Sequence, residues 1–152
     1  MFDDPLEWLA WVTAWTLSAY GNFQKRVNKP FNSLLHETCD IIGPDWWAMT
    51  EQVSHHPPIT AICFEAAYAK LIANSDMGLS FNGKGIDVVL RQNPIIYLMN
   101  QDKGFTEKYS YEFGRISAVN LIWGQMMFTH SGTVHVYQEE SGAYAKCKIN
   151  HC

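Results

Sequence analysis

The sequence predicts a mainly β protein that begins with one helix, and three observations support this fold class. Short segments rich in β-branched and aromatic residues recur between clusters of turn residues. The N-terminal segment has a helical apolar pattern with a start and a stop signal. A hydrophobic share of 47% over 152 residues is ample for a sizeable core. We therefore expect residues 1–152 to form one domain, or a piece of one, without internal repeats.

The predicted helix starts after Asp3 or Asp4 and ends at Gly21–Asn22. An aspartate caps the first turn and Pro5 fits inside it. Apolar residues at steps of three and four form a broad face, with Trp8, Leu9, Trp11, Val12, Trp15 and Thr16 as its members. Packing against a sheet is the favoured role of this face, and lipid contact by the tryptophans is the alternative. The apolar stretch Leu6–Tyr20 is too short and too polar for a transmembrane helix.

Strand-like segments and turns alternate beyond the basic connection Phe23–Pro30. The predicted strands are Leu34–Ile42, Trp46–Val53, Ile59–Tyr68, Leu79–Leu90, Ile95–Asn100, Tyr109–Phe113, Gly124–Phe128, Thr133–Gln138 and Ala143–Ile149. Turn residues lie between them at Gly43–Asp45, Asn74–Asp76, Asn82–Gly85, Gln101–Gly104 and Ser131–Gly132. Such turns favour hairpins, so the strands are predicted to pair antiparallel as a meander.

Composition excludes several partner classes. A formal net charge of -4 gives no basic face for nucleic acid and no polybasic membrane anchor. The charged share of 17% is low, and a lined internal cavity would accommodate the surplus of apolar residues. The four cysteines contain no CxxC pair, and no signal segment precedes the helix. We therefore expect reduced thiols in a cytoplasmic protein.

The stretch Glu51–Pro58 concentrates reactive side chains on a stiff backbone. Two neighbouring imidazoles precede a double proline, which fixes φ and favours extended geometry in the residue before it. In a regular strand the two histidines point to opposite faces, so they act together only if the chain bends. From the residues alone, a solvated turn and a binding site stay open as interpretations.

Catalytic and metal-binding interpretations of this stretch are weaker. Ser54, His55 or His56 and Glu51 include the residue types of a nucleophile, a base and an orienting acid. Residues so close in sequence seldom form a triad, and the sequence contains no GxSxG elbow, so no enzyme is predicted. A zinc site using both histidines with Glu37 and Cys39 matches no familiar spacing. No metal and no cofactor are therefore predicted.

Glu51–Pro58, which reads EQVSHHPP, resembles the signature of the oxysterol-binding-protein-related family of lipid-transfer domains. Lys29–Asn32 and Leu34–Thr38 are similar to the family's KPFNPLLGET, at the right distance upstream. Weaker similarity covers Asp4–Glu7 with the following helix and the segments Gly83–Val88 and Ala118–Gly124. The specific motifs lie between Lys29 and Pro58.

This resemblance implies an incomplete antiparallel β-barrel enclosing a lipid tunnel. The implied activity is exchange between membranes, with phosphatidylinositol 4-phosphate and a sterol or phosphatidylserine as cargo. The implied location is cytoplasmic and peripheral at membranes, including endoplasmic reticulum contact sites. His55 and His56 would bind the 4-phosphate, and Lys29 with Asn32 would meet the head group from the opposite loop. The accessory candidates at this site are Ser54, His36 and Glu37.

Two kinds of departure from the family pattern are expected to matter. Ser33 replaces the usual proline and His36 the usual glycine, so His36 either supplies a further imidazole or points to solvent. Compared with the family pattern, we expect the sequence to be a fragment, or else a divergent short form, without the preceding lid and the later part of the domain, which would leave the tunnel open. The alternative to a lipid-transfer protein is therefore a non-transferring lipid-binding or interaction module.

Overall fold

The computed structural model describes residues 4–22, 31–83, 85–100, 104–120 and 127–149. The predicted fold class is confirmed, since these residues form one α-helix and an antiparallel sheet that does not close. Helix α1 spans Pro5–Ser18 and continues as a 3₁₀ turn over Ala19–Asn22. The strands are β1 Thr38–Ile42, β2 Trp46–His55, β3 Pro58–Ala66, β4 Ala69–Asn74, β5 Met77–Phe81, β6 Gly85–Leu90, β7 Ile95–Asn100, β8 Phe105–Glu112, β9 Arg115–Val119, β10 Met127–Gln138 and β11 Tyr144–Ile149.

Helix α1 has the predicted start. The Asp4 carboxylate accepts a hydrogen bond of 2.9 Å from the Leu6 amide, and Pro5 occupies the first turn. Leu9 and Val12 are buried against the sheet. The buried hydroxyls of Thr13 and Thr16 donate to backbone carbonyls one turn earlier, which satisfies them inside an apolar interface.

The helix end docks through Tyr20. Its hydroxyl accepts a 2.9 Å hydrogen bond from the Gly114 amide, and its ring makes an edge contact with His130 at 4.9 Å between centroids. Burial raises the pKa of Tyr20 and lowers the pKa of His130. Both side chains are therefore neutral near pH 7, and this contact sets where α1 lies on the sheet.

The sheet begins as the predicted meander and then departs from it. Strands β1 to β4 pair in sequence, but β4 pairs next with β7. The hairpin of β5 and β6 lies elsewhere, with β6 against β9. The turn at Asn74–Asp76 is therefore not a hairpin. Instead it is attached to β3: the Ser75 amide donates to the Thr60 carbonyl, and the Ser75 hydroxyl accepts from the Thr60 amide.

Strand β10 is continuous, so the predicted hairpin at Ser131–Gly132 is wrong. Its first half pairs with β9, its second half pairs with β8 and also with β11, and the change of partner falls at Gly132. Gly132 has φ 97°, a conformation open to glycine. Opposite it, a Cβ added at Gly114 would lie 2.9 Å from the Ser131 carbonyl oxygen. The turn-like residues thus permit a bend and a close approach of two strands.

Other strand predictions differ in their bounds. The segment predicted as one strand from Leu34 is a turn until β1 begins at Thr38, and Leu79–Leu90 is the β5–β6 hairpin. Strands β4 and β9 were not predicted, because their small and polar residues weaken the strand pattern. The predicted segment Gly124–Phe128 falls partly outside the described residues.

The core forms where α1 crosses the sheet. It joins the helix to β7, β8 and β10 through Leu9, Val12, Ile96, Tyr109, Tyr111, Val134 and Val136. Burial raises the pKa of Tyr111 to about 12, so this tyrosine stays protonated in the core. The smaller β5–β6–β9 region has a polar face in which Ser117 and Asn82 donate to the buried Asp87 carboxylate at 2.6 and 3.1 Å.

Asp87 makes folding stability depend on pH. The Ser117 hydroxyl bond, with help from Asn82 and the nearby Arg115 charge, holds the pKa of Asp87 below its ordinary value of 3.8. The stabilisation is present above the pKa of the unfolded chain and is lost as pH falls through the folded pKa. We expect Asp87→Asn to lower the free energy of unfolding in urea at pH 7 and to have a smaller effect at pH 3. The exposed Asp40 provides the control Asp40→Asn, and an Asp87→Asn effect of equal size at both pH values would contradict the role of the Asp87 charge.

Candidate functional site

The histidine pair lies at the tip of the β2–β3 hairpin. His55 is opposite Pro58 at the end of the pairing, and the His56–Pro57 peptide bond is cis. The two imidazole rings make an edge contact with centroids 4.6 Å apart and planes at 65°. Both side chains are exposed. The turn therefore brings together two rings that a regular strand would place on opposite faces. This bend is the condition under which the two histidines can act together.

A β-bulge and a buried amide support this turn. The β2–β3 register shifts between Gln52 and Ser54, which re-aims the residues that follow. Gln52 is buried. Its side-chain nitrogen donates to the Ser54 backbone carbonyl at 2.8 Å, and its side-chain oxygen accepts from the Thr60 hydroxyl at 2.6 Å. The Thr60 amide donates in turn to the Ser75 hydroxyl at 3.0 Å. The network links β2, β3 and the segment before β5 at the base of the histidine turn.

The loop before β1 is attached to the same strand. Because β1 is antiparallel to β2, the residues before Thr38 are directed toward the end of β2 that carries the histidines. The backbone N–H of His36 donates to the backbone carbonyl of Gln52 at 2.8 Å, and the backbone N–H of Gln52 donates to the backbone carbonyl of Glu37 at 3.0 Å. Asn32 lies in this loop and is exposed. The predicted partner Lys29 lies outside the described residues.

The accessory candidates take distinct roles. The Glu37 carboxylate accepts from the Leu34 amide at 2.6 Å, so it closes the loop on itself. Ser54 contributes its carbonyl to the Gln52 network. His36, for which two interpretations were open, has its Nδ1 atom 3.2 Å from a Glu51 carboxylate oxygen. Its φ of 64° lies in the left-handed region, which explains why glycine suits this position.

The exposed imidazoles suit an anionic group. A ring N–H donates a hydrogen bond, and both ring nitrogens donate when the ring is charged. Hydrogen bonds between charged partners are shorter and about twice as strong as neutral ones. Two adjacent imidazoles on a supported turn can thus donate hydrogen bonds to an anion from neighbouring positions.

An apolar cavity of about 280 Å³ lies between α1 and the strands β3, β4 and β7. Its lining residues are Trp8, Trp11, Val12, Trp15, Phe64, Ala69, Lys70, Leu71, Ile96 and Leu98. The Lys70 ammonium is 3.3 Å from a Glu65 carboxylate oxygen, which leaves the aliphatic stem of the lysine for the lining. The volume is close to the lower limit of about 300 Å³ for small-molecule sites. The helix residues that were predicted to pack in the core thus lie partly in the core and partly along the cavity.

Sequence reasoning missed Gln52 and its partners. The available signal was strand alternation, which places the neutral Gln52 on the inner face when Glu51 faces outward. The Thr60 and Ser75 partners gave no signal, because they depend on which strands are neighbours. The residues of β4 and β7 that line the cavity were missed for the same reason.

Other features of the described residues bear on alternative sites. Within these residues, no three histidine, cysteine, aspartate or glutamate side chains cluster as metal ligands would. Cys39, Cys63 and Cys147 are free thiols. Among the described residues, no helix combines the length and the apolar character needed to span a membrane.

Fold and site together define a class of protein in which an open antiparallel sheet packs against a helix, with an apolar cavity between them and a histidine turn at one hairpin. The profile of the family described as Oxysterol-binding protein matches residues 2–152, so the chain belongs to this family. Oxysterol-binding protein homolog 2 of Saccharomyces cerevisiae is 33% identical over 147 residues, which cover 95% of this chain and 12% of that protein.

Solved structures show the same architecture. The Osh1 ORD domain in complex with ergosterol has a TM-score of 0.90 at 30% identity, covering 99% of this chain and 36% of that one. The Osh3 ORD of Saccharomyces cerevisiae in complex with PI(4)P has a TM-score of 0.80 at 24% identity and shows the fold alone. The chain therefore spans about a third of the solved domains that it resembles.

Gln52 provides a test of the support under the histidines. Gln52→Met keeps the volume but leaves the Thr60 hydroxyl without this acceptor, which is expected to lower the free energy of unfolding by about 1–3 kcal/mol. Urea unfolding measures this loss. In Gln52→Met/Thr60→Val both partners are apolar, so the two effects should sum to more than the double variant shows. Strict additivity would contradict the network.

Proposed function

We propose that this chain binds membrane lipids and that, within a complete domain, it takes part in non-vesicular exchange of phosphatidylinositol 4-phosphate against a sterol or a phospholipid. The observation that carries the proposal is the histidine turn, with two exposed imidazoles 4.6 Å apart at one end of β3. Phe64, which lines the apolar cavity, lies about 20 Å along β3 from Pro58 at roughly 3.3 Å per residue. A polar site and an apolar site at that separation suit amphiphilic ligands.

In this proposal the phosphate is held by His55 and His56, with Lys29 and Asn32 approaching from the loop before β1. Imidazole, ammonium and amide groups all donate to phosphate oxygens. An ammonium adds attraction that persists where water is partly excluded. Ser54 is accessory through the backbone that orients the histidines. The protein would act peripherally, at the surface of the membranes that contain its ligands.

Related proteins support the choice of a sterol as ligand. The Osh1 ORD domain has been solved with ergosterol and with cholesterol. The sterol complexes involve relatives at 30% identity across nearly all of this chain. Since this chain spans 36% of the Osh1 domain, transfer as such is proposed for a complete domain.

A non-transferring lipid-binding or interaction module is the second candidate. All five residues of edge strand β1 are exposed, and the cavity-lining Trp11 and Trp15 are more than half exposed. Unpaired strand edges and open apolar surface favour association with another polypeptide. Lipid extraction separates the two candidates, because an interaction module would leave lipids in the membrane.

The head-group assignment predicts a selective loss. We expect His55→Ala/His56→Ala to extract phosphatidylinositol 4-phosphate from liposomes at least tenfold less, because two donors to a charged group are removed. Extraction is measured with labelled lipid after sedimentation of the liposomes. His135→Ala, which removes an imidazole on β10 paired with Glu112, is the matched control. Equal extraction by the double variant and the wild type would refute the histidine assignment. Labelled ester lipids in parallel would reveal hydrolysis, which would refute the carrier proposal.

The cavity predicts a separate effect on the apolar cargo. Trp11→Ala removes a large lining surface, worth on the order of 1–2 kcal/mol, so sterol binding should weaken about five- to thirtyfold. Phe81→Ala is the control, because Phe81 is equally exposed but lies on β5 outside the cavity lining. Fluorescent sterol titration gives the two affinities. If Phe81→Ala weakened sterol binding as much as Trp11→Ala, the cavity would not be the cargo site.

A further inference from the structure

His36 has a conformation that its side chain alone does not favour. Its φ of 64° lies in the left-handed region, where a Cβ meets the neighbouring carbonyl oxygen. Its side chain is 74% exposed, so burial does not compensate for the conformation. The contact that the side chain makes is with Glu51, at 3.2 Å between Nδ1 and a carboxylate oxygen. This contact joins the loop before β1 to the strand that carries the histidine turn.

Within the part of the chain that the structure describes, the backbone bonds that hold the loop lie at its C-terminal end. His36 and Glu37 share two backbone hydrogen bonds with Gln52, and Glu37 closes the loop onto Leu34. Asn32, the proposed head-group residue, lies beyond these bonds and is exposed. The His36–Glu51 contact adds a side-chain attachment to the same strand, a few residues from His55.

We propose that His36 is a positioning residue of the head-group site: its pairing with Glu51 fixes the Phe31–Glu37 loop on β2, so that the loop and the histidine turn bind one phosphate together. This inference rests on the proposed function. It assigns no direct ligand contact to His36. The pairing also gives a partner to the Glu51 carboxylate, whose charge would otherwise oppose an approaching anion.

The test is calorimetric titration of the intact chain with inositol 1,4-bisphosphate, the soluble head group of phosphatidylinositol 4-phosphate. We expect His36→Gly to weaken binding about two- to fivefold, the range that an exposed pair of this kind provides. Glycine suits the left-handed backbone, so this variant should fold. In the His36→Gly background, Glu51→Gln should cause no further weakening.

Two further variants separate positioning from a general structural effect. His36→Lys retains a donor that can pair with the Glu51 carboxylate and should bind the head group more tightly than His36→Gly does. His135→Ala removes an imidazole with a comparable carboxylate contact, 3.0 Å from Glu112, and should leave the head-group affinity unchanged.

The outcomes distinguish this inference from the proposed function. Equal head-group affinity of His36→Gly and wild type would overturn the positioning role and leave the histidine site intact. Further weakening by Glu51→Gln in the His36→Gly background, or a failure of lysine to restore binding, would also overturn it. Absence of binding by the wild-type chain would overturn the head-group site itself, and the role of His36 with it.

Discussion

The candidate site depends on the buried amide of Gln52. The β-bulge before the histidines interrupts the ladder between β2 and β3, and a backbone interrupted near the end of a hairpin would leave polar groups without partners. Gln52 supplies an acceptor to Thr60 and a donor to the Ser54 carbonyl. Because an unsatisfied buried amide is costly, the side chain can remain inside only in this arrangement. The exposed rings of His55 and His56 therefore have a defined location.

A second constraint is the division of α1 into two faces. Leu9 and Val12 are buried against the sheet, whereas Trp11 and Trp15 border the cavity and remain largely exposed. The sheet does not cover the whole apolar surface of α1, and the tryptophan rings belong to the part of that surface that stays uncovered. At the C-terminal end of the helix, Tyr20 contacts Gly114 and His130, so the helix that borders the cavity is attached to the sheet there as well.

The sequence motifs were enough to predict the fold class and the histidine turn, because both depend on local features. Alternation, turn residues and the EQVSHHPP stretch are all read within a few positions. The bend at Gly132 looked like a hairpin because glycine suits either conformation, and only the partners of β10 decide between them. The His36–Glu51 contact joins residues fifteen positions apart, and its existence depends on the register of β1 on β2. Register and strand order are non-local, so these features could not be predicted.

The two candidate sites differ in what holds them. The histidine turn is defined by backbone pairing and a hydrogen-bond network, which tolerate little change in geometry. The cavity is lined by side chains from a helix and three strands, and its volume changes with each of them. Under the proposed function, substitution in the cavity lining would therefore alter the apolar ligand while the histidine turn is retained. Both sites use strand β3, but Phe64 lies near one end of it and Pro58 at the other, so the determinants of the two proposed ligands are separate side chains.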